Sequence, residues 1–296
     1  MGEHMLLVTG ANGQLAGWVI KNLLDLTDVK NIAVCSRSPD SAFSDELRAR
    51  GIDVRLGDFD LPETLPQAMA GIDKVFIIPT YATNDVRLSQ NLNALNAAKA
   101  AGVRHVVYPS FLNANPNSLA EHSLVVHYPT EQAILASGLT YTILRHALYA
   151  DITVSDLDQT LATGIFRRAL GKAACAYVAR EDLGLSAATV MAKDGHENKI
   201  YTETMTRTYS GDDIAALMSE VFERPIRYEA VSAEEWPAYM TREWGVPPEL
   251  AKSTIGTMKA VETGEFDIMT NDYQIIVGHP PRDFRQFLVD VKASRS

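Results

Sequence analysis

The sequence predicts a doubly wound α/β fold: a parallel sheet with helices on both faces, followed by a smaller α/β lobe. Three observations predict it. An apolar run, Met5 to Val8, stops at Thr9-Gly10 and gives way to a glycine-rich turn and an amphipathic helix. Apolar strands and helical stretches then alternate as far as Arg145, which is the signature of parallel βαβ units. Beyond Arg145 the alternation breaks and short mixed segments take over.

The opening stretch, MLLVTGANGQLAGWVI at 5–20, organises the rest. Strand, tight turn and helix in that order put a helix N-terminus under a diphosphate. Glycines fall at 10, 13 and 17, and Ala16 stands where a further glycine of the motif is common. Gly10 suits a turn that a Cβ would obstruct, and Gly13 suits close approach of backbone to phosphate. Leu15, Val19 and Leu23 share one helix face, with Ala16, Ile20 and Leu24 beside them.

Asn31–Cys35 reads as the second strand, and the residues just after it bear on the cofactor. A fold of this kind that prefers NAD places an acid about 20 residues after the glycines to bind the ribose hydroxyls. Here the strand runs into Ser36-Arg37-Ser38, with no carboxylate before Asp40. A guanidinium between hydroxyls suits a 2′-phosphate, so NADPH (NADP+) is the expected cofactor and Arg37 its selective contact.

Ile52–Leu56 is the third strand. Asp58 in the turn after it is placed either to accept from an adenine amino group or simply to close the turn. Pro62–Ala70 is a short helix and Lys74–Ile78 a fourth, central strand ending in Pro79-Thr80-Tyr81. Ser89–Ala101 is a helix with Leu92, Leu95 and Ala98 inward, stopped by Gly102. Arg104–Tyr108 is the fifth strand, ending in Pro109-Ser110-Phe111. Asn113–Ser118 is a loop, Pro129–Ser137 a helix and Thr140–Leu144 the sixth strand. Strand C-termini in such sheets face the ligand crevice. Asn198–Thr204 reads as one more strand returning to the main sheet, and Glu229–Met240 and Pro247–Lys259 as short helices of the second lobe. The expected division is a nucleotide-binding domain at 1–150, with a returning strand near 198–204, and a substrate lobe at 151–296. No linker separates them, so the lobes are expected to pack as one body.

Composition narrows the function. The 296 residues are 46% hydrophobic and carry a formal charge of -10 with both signs interspersed, so no basic footprint for nucleic acid is expected. No apolar run approaches the ~18 residues of a membrane span, and no signal peptide is expected ahead of Met5, because Met5–Val8 leads straight into the glycine turn. Met1-Gly2-Glu3-His4 reads as a cloning remnant ahead of the native start. Cys35 and Cys175 lack metal spacing and read as buried thiols of a cytoplasmic protein, with no metal site expected. The protein is expected to be a monomer or a homodimer.

Alcohol dehydrogenation by short-chain enzymes uses a tyrosine with a lysine one helical turn on. No lysine here has a tyrosine four residues before it, and Tyr128 has Gln132 in that position. Reactions that move a proton from an oxygen of high pKa in step with hydride therefore fit poorly. A quinone or a cationic conjugated dye accepts hydride without that device, and needs a dry pocket that places it. Tyr81, Phe111 and Tyr149, at strand ends, are the aromatic candidates. His127, one turn before Glu131, is a candidate for contact with substrate or nicotinamide. A reductase of carbonyls or imines with another acid is a further possibility.

With these motifs in view, the chain resembles the NmrA-like branch of atypical short-chain dehydrogenases, and within it the bacterial NADPH quinone oxidoreductases and triphenylmethane-dye reductases. The resemblance runs over nearly the whole length, through TGANGQLAG near the start, NAAKAAGVRHVVYPS at 96–110, ASGLTYTILRHALYAD at 136–151, GHENKIY at 195–201 and GHPP at 278–281. It implies a diphosphate site at Gly10, Asn12, Gly13, Gln14 and Leu15, a 2′-phosphate contact at Arg37, and cofactor contacts at Asp58, Pro79, Thr80 and Ser110. It places Arg145, His146 and Tyr149 in a segment that closes over the nicotinamide, and His127 where related reductases carry a catalytic lysine. Catalytic roles are thus expected at His127 and Tyr149, cofactor contact at Arg145, and a substrate pocket at Tyr81, Phe111 and His146. Ala16, His146 and Gln132 depart from the glycine, asparagine and lysine often found there. The expected activity is reduction of a quinone-like or conjugated aromatic small molecule. The competing class is a regulator that senses NADP(H) without turnover, since the NmrA-like branch includes such proteins.

Overall fold

A computed structural model describes residues 4–295. Of the supposed remnant at 1–4 only His4 falls within it; the rest lies outside the described residues.

The main sheet is seven-stranded and parallel, in the order β10-β6-β5-β4-β1-β2-β3. β1 (Leu6–Val8) pairs with β2 (Ile32–Ser36) on one side and β4 (Lys74–Phe76) on the other, with Leu6 opposite both Ile32 and Lys74. β3 (Asp53–Leu56) forms one edge beyond β2. β5 (His105–Phe111) follows β4, then β6 (Thr140–His146), and β10 (Lys199–Glu203) closes the other edge. The expected returning strand is thus present: Asn198 N donates to Tyr141 O and Ala147 N to Glu203 O, a rising register along β6. β1, β2 and β4 are wholly buried, as strands covered on both faces must be. The order reverses between β1 and β4, where open α/β sheets bind ligands.

The crossover helices are α1 (Gln14–Leu26), α2 (Ala42–Ala49), α3 (Leu65–Met69), α4 (Asn84–Ala100) and α5 (Tyr128–Ala136). Leu65, Met69, Leu95 and Ile134 from these helices pack onto Leu7, Ala33, Val75, Val106 and Ile143 of the sheet. α4 starts earlier than the expected Ser89, because Asp85 favours the positive helix N-terminus. Its buried face carries Gln90 and Asn91 beside Ala94, Leu95 and Ala98, whereas Leu92 is only half-buried. Before α5 the chain makes a π-helical turn at Ser123–His127.

The remaining elements are β7 (Leu148–Tyr149), α6 (Leu157–Thr163), β8 (Ile165–Arg168), β9 (Tyr177–Val178), α7 (Arg180–Ala192), α8 (Gly211–Phe222), β11 (Arg227–Ala230), α9 (Trp236–Trp244), α10 (Pro248–Lys252), α11 (Ile255–Glu262), α12 (Asp272–Val277) and α13 (Phe284–Ala293). The expected helix at Glu229–Met240 is corrected here. Arg227–Ala230 is a strand paired in parallel with β8, and the helix begins only after Ser232, whose side chain binds Glu235. The strand reading was hidden because its partner lies far back in the sequence.

By contacts the chain forms two compact units. Unit 1 comprises the residues up to Ser110, Val126–Arg145 and Leu183–Tyr201. Unit 2 comprises Phe111–Val125, His146–Asp182 and Thr202 onward. Unit 1 holds nearly all of the main sheet. Unit 2 holds two parallel strand pairs, β8–β11 and β7–β9. Its interior includes a buried ion pair, Arg168 with Asp156 at 2.7 Å, under Trp236 and Trp244. Burial pushes the Asp156 carboxyl up, but the hydrogen bonds and charge of Arg168 outweigh it and hold it below the usual range.

Candidate functional site

The glycine turn of unit 1 is held from both sides. Thr9 N and Oγ1 both donate to Phe76 O, at 3.1 and 3.0 Å, and Ile78 N donates back to Thr9 Oγ1 at 2.9 Å. Ala11 N donates to Cys35 O at 3.2 Å. The turn is therefore fixed to the ends of β2 and β4. Gly10 has φ +63°, a left-handed conformation. Gly13 N donates to Gly10 O at 2.8 Å, and a Cβ on Gly13 would stand 3.2 Å from that oxygen. Gly17 is exposed with nothing near its missing Cβ, while Ala16 is fully buried; the close packing of α1 falls on Ala16.

No side chain caps α1 at Gly13. Its first N–H groups lack intrahelical partners and carry the positive end of the helix dipole. Gly10, Asn12, Gly13 and Gln14 are exposed around it, and Leu15 is buried beneath. Asn12 Oδ1 accepts from Ser36 Oγ at 3.2 Å, and Ser36 Oγ accepts from Ser38 N at 3.1 Å. Next to these, Arg37 is exposed and forms no hydrogen bond or ion pair among the described residues. An uncapped helix end, a glycine a Cβ would crowd and an uncommitted guanidinium fit a phosphorylated dinucleotide. Gly57 serves a different purpose: a Cβ there would meet Cys35 Cβ at 2.9 Å.

Asp58 Oδ1 accepts from Asp60 N at 3.0 Å and closes its own turn. Pro79 and Thr80 are half-buried after β4, and Tyr81 is 76% exposed. Thr80 Oγ1 bonds Gln90 Oε1, and Gln90 Nε2 donates to Asp60 Oδ1 at 2.7 Å.

At the end of β5 the structure assembles a group that sequence reasoning did not foresee. Glu131 is 1% exposed. Its Oε1 accepts from Ser110 Oγ at 2.5 Å and from Arg145 Nε at 2.9 Å, and its Oε2 accepts from Arg145 Nη2 at 2.6 Å. Ser110 and Arg145, both expected cofactor contacts, are thus engaged by a buried carboxylate. The sequence signal was Glu131 itself, an acid on the inward side of α5.

His127 lies in the interior of unit 1, 5% exposed. Its Nδ1 is 2.9 Å from Tyr108 Oη, and its Nε2 is 3.4 Å from Arg87 Nη2. A guanidinium only donates, so Nε2 accepts and the proton of the neutral ring sits on Nδ1, facing Tyr108. Asn91 Nδ2 donates to Tyr108 Oη at 3.1 Å and to Thr130 Oγ1 at 3.2 Å. Burial raises the Tyr108 phenol above its ordinary value. This is a satisfied internal network.

Unit 2 holds the remaining candidates. Phe111 packs edge-on to His122 and Phe266, at 4.3 and 5.5 Å between centroids. His146 is 1% exposed, with Nδ1 3.3 Å from Tyr149 Oη. The Arg180 guanidinium lies 4.4 Å over the Tyr149 ring. Glu265 binds Asn113, Ser118 and Leu119 N, fixing the loop after β5. Cys35 and Cys175 are buried free thiols, each pushed up by burial to about 12. No group of histidine, cysteine or acidic side chains with metal-binding geometry occurs among the described residues.

With this geometry in place, comparison with known proteins is informative. Residues 2–268 match the NmrA-like family. The chain belongs to the NmrA-like family. Among NmrA-like relatives, the quinone oxidoreductase 2 of Escherichia coli K12 is 31% identical over 282 residues, covering 93% of this chain and 94% of its own. The NAD(P)H azoreductase of Xenophilus azovorans is 28% identical, covering 96% of each chain. The crystal structure of the Citrobacter sp. triphenylmethane reductase complexed with NADP(H) superposes with a TM-score of 0.87. It is 32% identical, over 97% of this chain and 99% of that one. The NmrA-like fold and these likenesses extend through both units.

Proposed function

We propose that this NmrA-like protein is an NADPH-dependent reductase of a quinone-like or conjugated aromatic small molecule, acting in the cytoplasm. The observation that carries the proposal is its end-to-end similarity to reductases of quinones, azo compounds and triphenylmethane dyes. When bound, the reduced dinucleotide supplies hydride. The chain's own part is to bind and orient. The uncapped N-terminus of α1, with Gly10, Asn12, Gly13, Gln14 and Leu15, holds the diphosphate. Arg37 holds the 2′-phosphate and Asp58 the adenine edge. Pro79, Thr80, Ser110 and Arg145 stand toward the nicotinamide half, the last two stiffened by Glu131. Unit 1 is accordingly the cofactor domain.

Unit 2 is the substrate lobe. Phe111, His146 and Tyr149 of this unit are assigned to the acceptor, with Tyr149 the catalytic candidate; the role proposed for Tyr81 of unit 1 is likewise contact with substrate. His127 acts by fixing Tyr108 and Arg87, since both ring nitrogens are taken up inside unit 1. A flat, apolar acceptor gains from aromatic walls and from exclusion of water, which strengthens every charge interaction around it.

The test monitors loss of nicotinamide absorbance on mixing purified protein and NADPH with a panel of quinones, azo compounds, dyes and carbonyls. Oxidation well above the acceptor-free rate with a conjugated acceptor is the expected result. Tight NADPH binding with no oxidation across the panel would instead make the protein a cofactor sensor.

A further inference from the structure

Two ionisable side chains of unit 2 are buried against each other with almost nothing else to satisfy them. His146 ends β6 and Glu203 ends β10; their side chains are 1% and 0% exposed, and Nε2 lies 3.4 Å from Oε2. Among the described residues, neither oxygen of Glu203, nor His146 Nε2, has a hydrogen-bond partner. Tyr273 Oη, which feels the charge of Glu203, is likewise buried and without a hydrogen-bond partner among the described residues. On the other side of the ring, His146 Nδ1 faces Tyr149 Oη at 3.3 Å. Tyr149 is only half-buried. Charged groups near the tyrosine include Arg180, over its ring, and Asp151, which pairs with Arg180 at 3.6 Å. Those that act on Tyr273 are Asp182, Glu203, Arg282 and Glu181.

A carboxylate sealed from water with no donor is costly to keep, and here the nearest hydrogen-bonding group is an imidazole. An imidazole with a carboxylate at one nitrogen and a hydroxyl at the other is oriented by the carboxylate to exchange a proton with the hydroxyl. The line Glu203–His146–Tyr149 runs from full burial to partial exposure. The chain lacks the tyrosine–lysine device, and this line offers another source of a proton.

We infer that Tyr149, His146 and Glu203 form a proton relay that completes reduction of the acceptor, an inference that rests on the reductase reading above. A quinone that has gained two electrons and one hydrogen keeps one oxyanion. The Tyr149 O–H bond breaks as its proton goes to that oxygen. The Nδ1–H bond of protonated His146 then breaks to refill the phenol, and the ring keeps its Nε2–H, which faces Glu203. Once product has left, a proton from water enters through the half-buried Tyr149 hydroxyl, which passes its own proton to Nδ1 and restores the starting state. No electrons pass through the three residues. Tyr149 is the catalytic residue of the relay; His146 and Glu203 are positioning residues that act through it.

The test uses two acceptors that differ in their need for a proton. p-Benzoquinone needs one, whereas a cationic triphenylmethane dye such as crystal violet becomes its neutral reduced form by hydride alone. The ratio of kcat for quinone to kcat for dye should fall about 10- to 100-fold in Tyr149→Phe and His146→Asn, and in the same direction in Glu203→Gln. Heavy water should slow the wild-type quinone reaction more than the dye reaction. A readout independent of turnover is nitrogen-15 NMR of labelled histidine in the ligand-free protein, where Glu203→Gln should shift the His146 ring resonances. Tyr149→Phe removes one oxygen from a half-buried ring and is expected to fold, as NADPH binding would verify. A quinone-to-dye ratio unchanged in the variants, or His146 nitrogens that ignore Glu203→Gln, would overturn the relay. Should the wild type reduce neither acceptor, the reductase reading fails instead, and the NMR measurement still decides whether Glu203 controls His146.

Discussion

Arg37 and His105 carry the residue-scale expectations, one for binding and one for stability. Arg37 is exposed and uncommitted, so its charge is available to a ligand. A hydrogen bond to a charged group contributes about 1.5–3 kcal/mol. Arg37→Ala should therefore weaken NADPH about 10- to 100-fold and NADH far less, measured by titration with each; equal losses would remove the 2′-phosphate assignment. His105 is buried, and its Nε2 is 2.8 Å from Thr142 Oγ1, which itself donates to His196 O. The imidazole is thus the donor to Thr142. Burial, and then the charge of Lys74, lower His105 from 6.5 to about 4. The unfolded chain binds this proton at higher pH than the folded one. Its contribution is present in full above about pH 6.5 and is lost as pH falls through about 4. The loss is at most about 3 kcal/mol. Urea unfolding between those pH values should show it in wild type and a flatter profile in His105→Gln. Arg37 was legible as a candidate because it stands in a single loop after β2; His105 read only as an ordinary strand residue, since the groups that shift it come from distant segments.

Among the elements, α7 shows most clearly what pattern reading misses. Nearly all its positions from Asp182 to Met191 are buried. A helix covered on every side shows no apolar stripe, so the periodicity that reveals α1 is absent. Gly184 of α7 meets α1 closely: a Cβ there would stand 2.3 Å from Trp18 Cβ and 2.9 Å from Trp18 C. Backbone cannot step aside as a flexible side-chain tip can. Gly184→Ala should cost about 1–3 kcal/mol, the usual penalty of overpacking, seen as a lower denaturation midpoint with an unchanged denaturant slope. Gly17→Ala, on the exposed side of α1, should instead be neutral or slightly stabilising because alanine favours helix. The strands of the main sheet were readable as runs of β-branched and apolar residues. β11 was not, because half-buried Tyr228 and Glu229 next to helix-compatible residues give no alternation, and only pairing with β8 makes it a strand.

For the whole molecule, binding and folding are linked. A ligand that binds only the native state at 100 times its Kd adds about 2.7 kcal/mol. NADPH should raise the unfolding temperature in proportion to the logarithm of its concentration, and Arg37→Ala should shift that dependence to higher NADPH. A thermal scan against NADPH concentration checks both. No apolar helix among the described residues is long enough to cross a membrane. The chain forms its units from interleaved segments, with 126–145 and 183–201 joining the first and 111–125 the second. A boundary read along the sequence assigns residues in blocks; contacts assign them by what they pack against.

By itself the sequence determined the parallel α/β sheet, the strand–glycine turn–helix that opens it and the NmrA-like resemblance. Each depends on residues within one strand–turn–helix or on motifs in continuous runs, where spacing and geometry are tied by the backbone. Tertiary structure alone decided that Glu131 clamps Ser110 and Arg145, that His127 is enclosed by Tyr108 and Arg87, and that His146 meets Glu203 away from water. Those relations join side chains from separate strands and helices. Their chemistry comes from burial and from which polar atoms are left without partners, quantities that exist only once the chain has packed.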